Sequence, residues 1–125
     1  MCYDHIAGRL GVAIAHHLLT EGAVVFDSDS GKITAQAPPL LQEIGLDYQV
    51  HLVTSKRVLC RPCLDWSERR YHIAGQLGSI LCHHFTSENW LRRSKETRVL
   101  QITPKGELEF KNWLGREAWL RVVSD

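Results

Sequence analysis

The sequence predicts an α+β fold in which two related units, each a helix, a β-hairpin and a helix, pack into one compact domain. Three observations carry that prediction. An internal repeat runs at a constant offset of 67 residues, so that His5-Ile-Ala-Gly-Arg-Leu-Gly faces His72-Ile-Ala-Gly-Gln-Leu-Gly, His16-His17 faces His83-His84, and Glu21 faces Glu88. Nine of the twenty positions from 5 to 24 are identical without a gap, which points to duplication rather than chance. Each copy then opens with apolar residues at helical spacing and continues with turn chemistry between short β-prone runs.

The opening helix of the first copy reads from Ile6, Leu10, Ala13, Ile14, His17 and Leu18, and that of the second from Ile73, Leu77, Ile80, Leu81, His84 and Phe85. Each set forms one stripe on a helix. Gly22 and Asn89 occupy matching places just beyond, and these are the residue types that best tolerate the left-handed conformation ending a helix. Asp65 and Glu68 have the spacing of an N-cap and its capping-box partner, so the second helix is expected to begin there. Small residues (Gly8, Val12 and Ala15; Gly75, Ser79 and Cys82) line another face, through which the copies are expected to meet about a pseudo-two-fold axis.

The first hairpin is expected over Ala23–Phe26 and Lys32–Thr34 with its turn through Asp27 to Gly31, and the second over Trp90–Arg93 and Thr97–Ile102. A closing helix follows each. Thr103 caps the second, with Pro104 in its first turn where a missing N–H costs nothing; Pro38 and Pro39 lead into a shorter one. The expected division is a first unit over 1–46, a connector over 47–62 and a second unit over 63–125. A six-residue insertion, Trp66 to Tyr71, is confined to the second copy.

Composition narrows the function classes. The 125 residues are 44% hydrophobic and 23% charged, which excludes disorder, and Leu10 to Thr20 is too short for a membrane helix. Nothing demands an obligatory cofactor at this length. Net charge is +1, with five basic and six acidic residues up to Pro62 and ten basic and eight acidic beyond it. Such a balance gathers little nucleic acid unaided. Four irregularly spaced cysteines and no export signal lead us to expect reduced thiols and a cytoplasmic protein.

Several residues invite chemistry. Cys60-Arg-Pro-Cys63 has the gap of a chelating or redox-active thiol pair, and Cys2, His5, Asp4, Asp65 and His72 are candidates to complete a metal site, zinc being the metal it would take. Read before a helix N-terminus, the pair would have its thiol pKa lowered by the dipole. Against this, Cys2 and Cys63, Asp4 and Asp65, and His5 and His72 recur as landmarks of the repeat, and capping or carbonyl bonding accounts for them as well. Neighbouring histidines on a helix diverge by about 100°, so neither His-His pair chelates, and His17 and His84 are expected in the core. Arg92, Arg93, Lys95 and Arg98 surround the second hairpin, as in a wing that touches phosphate. No phosphate-cradling loop, nucleophile elbow or HExxH pattern is present, so no enzyme is expected.

Two stretches also carry a family resemblance. Cys2-Tyr-Asp-His-Ile-Ala-Gly-Arg-Leu-Gly-Val12, and Cys63-Leu-Asp-Trp-Ser-Glu-Arg-Arg70 followed by His72-Ile-Ala-Gly75, resemble the C-terminal region of a subgroup of ArsR-type repressors. The hairpin running into Leu100-Gln-Ile-Thr-Pro-Lys-Gly106 is similar to the wing and final helix of winged-helix regulators. The resemblance implies two winged-helix-like units and a non-enzymatic effector or dimerisation region. It also implies homodimer formation, and DNA contact through an N-terminal domain that this chain lacks. A thiol-based metal or redox sensor built on Cys60 and Cys63 is the alternative.

Overall fold

A computed structural model describes residues 6–94 and 99–124. The chain is α+β: helices α1 (Gly8–Thr20), α2 (Ala37–Gln42), α3 (Gly75–Ser87), α4 (Pro104–Leu114) and α5 (Arg116–Val123), with strands β1 (Val24–Asp27), β2 (Ser30–Ile33), β3 (Arg61–Asp65), β4 (Arg70–Ala74), β5 (Leu91–Arg93) and β6 (Leu100–Ile102). Consecutive strands pair as three antiparallel hairpins: β1–β2, β3–β4 and β5–β6. A 3-10 turn spans Tyr48–His51.

The two helix, hairpin and helix runs have nearly the same backbone. Ala7 and Ala74 precede their helices with φ/ψ of −112/−175° and −119/−174°. Glu21 and Glu88 end them at −82/0° and −84/2°. Gly22 and Asn89 then turn left-handed at φ 74° and 65°, as their residue types predict. The amides of Ala23 and Trp90 return to the carbonyls of Leu18 and Phe85. Thr34 and Thr103 each donate a hydroxyl back to the residue with positive φ, Gly22 and Asn89. Thr103 also accepts from the Gly106 amide at 2.9 Å, making it the N-cap of α4 with Pro104 in the first turn.

Packing crosses between the runs. The closing segment of the first reaches the opening helix of the second, where His84 Nε2 donates to the Ile44 carbonyl at 2.8 Å. The closing helix of the second reaches the opening helix of the first, where the rings of His17 and Trp113 meet edge to face at 4.9 Å. Fully buried Phe85 and Phe110, with Trp90, form an aromatic core around α3 and α4, their ring centroids 4.9 to 5.2 Å apart. At the matching places the first run buries Leu18, Leu41 and Ala23. Burying each large ring contributes about 3 kcal/mol.

Between α1 and α3 a cavity of about 10 Å³ is lined by Ile6, Gly11 and Ile14 and their repeat counterparts Ile73, Gly78 and Leu81. The face formed by Gly8, Val12 and Ala15 is therefore not the one at this seam. Gly11 and Gly78 line it instead, and a Cβ on Gly11 would overlap the carbonyl of Ile6 just before α1.

The largest departure from expectation is β3–β4. Residues 65 to 70 do not begin a helix; α3 starts only at Gly75. Asp65 does accept the Glu68 amide at 3.1 Å, but that bond closes a hairpin loop whose last residue, Arg69, is left-handed at φ 54°. An Asx side chain closes a turn and caps a helix through the same i, i+3 contact, so the spacing alone does not choose. The Trp66–Tyr71 insertion supplies the loop and the start of β4. Strand β3 also runs across the expected boundary at residue 62, and α5 follows α4 as a separate helix after Gly115 at φ 96°.

Candidate functional site

The Cys60–Cys63 pair leads into strand β3 rather than directly into a helix. Residues alternate in direction along an extended strand, which turns positions three apart to opposite faces. Cys60 is buried, and burial pushes its thiol up to about 12, the reverse of the lowering expected of a reactive pair. Cys63 is half-buried on β3, across from His72 in the β3–β4 register. Among the described residues, no three His, Cys, Asp or Glu side chains gather as a metal site. Cys2, Asp4 and His5 lie outside the described residues.

Asp65 and His72 do come together. The buried Asp65 carboxylate stands 3.4 Å from His72 Nδ1, accepts the Ser67 hydroxyl at 2.6 Å, and accepts the Gly8 amide at 2.7 Å. Burial alone would raise its pKa. The bonds from Ser67, Gly8 and Glu68, with the nearby His72, outweigh that and draw it down to about 2. Gly8 is the first residue of α1, and Ala7 has no side chain to cap it. Asp65 therefore caps the helix of the other unit. In the first turn of α3 the amides of Gln76 and Leu77 donate to the carbonyls of Val58 and Leu59.

The adjacent histidines have separate environments. His84 satisfies one ring nitrogen on Ile44, as a core histidine should. His17 Nε2 is buried with no hydrogen-bond partner, and burial lowers its pKa against the opposing pull of Glu21 and Glu43. His16 and His83 are exposed. On the second hairpin, Arg92 and Arg93 are exposed neighbours on β5 and point to opposite faces of the ribbon. Lys95 and Arg98 lie outside the described residues.

The structure gathers one set of residues that the sequence leaves scattered. Arg9 from α1, Arg70 from β4 and Arg121 from α5 line a cleft of about 50 Å³ together with His16 and Glu68. It opens beside a wider groove of about 440 Å³ that runs between α1 and the α4–α5 junction and shares His16 and Arg121. Their only sequence signal is asymmetry: Arg9 faces Gln76 in the repeat, and Arg70 lies in the insertion.

Comparison with known proteins gives one informative likeness. Over 113 residues, 90% of its length, the chain is 35% identical to an uncharacterized HTH-type transcriptional regulator, YdfF, of Bacillus subtilis (strain 168). The chain spans about half the length of that relative, the match covering 50% of it. No family model matches. No solved structure matches either. Among the described residues, no helix is long and apolar enough to cross a membrane.

Proposed function

We propose that the chain is a non-enzymatic regulatory region of an ArsR-type bacterial transcriptional regulator, serving signal reception or dimerisation for a DNA-binding part that lies outside these residues. The observation that carries the reading is the 35% identity over 113 residues to the Bacillus regulator. The repeated helix, hairpin and helix supports it. Near-neutral charge also fits a region that does not read DNA by itself, since phosphate binding rests on clustered Lys and Arg. The role needs no cofactor and is played in the cytoplasm.

Fluorescence anisotropy of labelled duplex DNA titrated with the chain alone tests the reading. At about 0.15 M salt the chain is expected to show no saturable binding. Sequence-selective binding by the chain alone would overturn it, and would favour phosphate contact through the exposed Arg92 and Arg93.

A further inference from the structure

We propose that the cleft between α1 and α5 binds the oxyanion head, carboxylate or phosphoryl, of a small ligand whose uncharged body lies in the adjoining groove. Arg9, Arg70 and Arg121 come from three elements far apart in sequence, yet line one concavity. Among the described residues, none of the three forms an ion pair with a carboxylate, although Glu68 lines the same cleft. Three gathered guanidinium groups outnumber the single Glu68 carboxylate beside them, and the surplus positive charge favours an anion between them. Their planar forks suit the paired oxygens of a carboxylate or phosphoryl group.

Arg70 is already positioned, because its Nη2 donates to His16 Nδ1 at 3.3 Å. Arginine only donates, so His16 presents a lone pair there and keeps its Nε2–H as a further donor. The small side chains of Ala13 and Ala118 leave the space open. Around the wider groove the charges balance, with Arg116 and Arg121 against Glu21 and Glu117. Charge at one end and a neutral, partly apolar groove at the other suit an amphiphilic organic anion. They do not suit a duplex, whose successive phosphates would meet Glu68 and Glu117.

Among the described residues, no matching arginine cleft forms on α3. The matching face of α3 borders a groove lined by His51, Ser79, His83 and His84, and the lining includes no arginine. Where α1 has Arg9, α3 has Gln76, whose amide bonds the backbone of Val53 and Arg57. The arginine cleft is thus an addition to the repeat rather than part of its scaffold. Binding is argued from this geometry alone; a signal-receiving role for the site rests on the regulatory reading above.

The test is a ¹H–¹⁵N correlation titration of the whole chain with inorganic phosphate and, separately, benzoate, at ionic strength held constant with sodium chloride. The expected result is saturable shifts at the amides of Arg9, His16, Arg70 and Ala118 with at least one probe, and the stronger probe identifies the head group. The double variant Arg9→Gln, Arg121→Gln, both exposed positions, should keep its spectrum and weaken binding at least about tenfold, while Arg61→Gln leaves binding unchanged. Shifts that stay linear with both probes, or equal affinity in the double variant, would overturn the site. So would shifts at these amides with a short DNA duplex alone. Sequence-selective DNA binding in the anisotropy experiment that leaves these amides unshifted contradicts the regulatory reading without touching this one.

Discussion

Asp65 accepts the amide of Gly8 at 2.7 Å, so a carboxylate at the end of β3 caps a helix that begins 57 residues earlier. The bond couples the insertion-bearing hairpin of the second unit to the first turn of α1. It also explains how a helix preceded by alanine starts at all.

Replacing Asp65 with Asn should therefore destabilise the chain by about 1–3 kcal/mol, because a buried acceptor of three hydrogen bonds becomes partly a donor. The loss is expected to depend on pH. The folded carboxyl titrates at about 2 against an ordinary value of 3.8. Its stabilisation is fully present above the ordinary value and disappears as pH falls through the folded one. Urea unfolding of both proteins from pH 7 to pH 2 should show the difference shrinking below about pH 4. A constant difference would remove the charge from the explanation.

Thr103 should matter more than its counterpart Thr34. Buried Thr103 bonds Asn89 and Trp90 through its hydroxyl and caps Gly106, whereas Thr34 is less buried and its cap bond goes to exposed Gln36. Thr103→Val is expected to cost about 2 kcal/mol and Thr34→Val about 1 kcal/mol by urea denaturation. Gly106→Ala should be destabilising by about 1–3 kcal/mol, even though alanine is the better helix former, because its Cβ would overlap the Trp90 carbonyl. Equal costs at Thr103 and Thr34 would contradict the asymmetry.

Thiol reactivity should follow burial rather than the Cys-x-x-Cys spacing. With its pKa pushed up to about 12, Cys60 holds almost no thiolate at neutral pH. Iodoacetamide at pH 8, followed by peptide mass mapping, should label half-buried Cys63 before buried Cys60 and Cys82, and all three alike in urea. Labelling of native Cys60 at least as fast as Cys63 would restore the redox reading.

Much of the architecture was legible because backbone chemistry repeats with side-chain chemistry. Gly22 and Asn89 announce left-handed helix ends, and Thr103-Pro104 announces a helix start; both are local rules that tertiary context did not override. The β3–β4 hairpin escaped because Asp65 and Glu68 present the same contact to a turn as to a helix. The cap on α1 escaped because Asp65 serves a distant element. For the site, the reasons are similar. Cys60 and Cys63 advertise chemistry by spacing, but burial and strand geometry separate them. Arg9, Arg70 and Arg121 are solitary arginines until α5 folds onto α1, so only the fold joins them.

The central claim is that this chain regulates rather than reads DNA. It is tested most directly by a chimera of the Bacillus relative in which this chain replaces the matched 113 residues. Genome-wide immunoprecipitation of the chimera should recover the same DNA motif as the unaltered relative. Relocation of the peaks to a different motif would show that sequence reading travels with this chain, and would contradict the account.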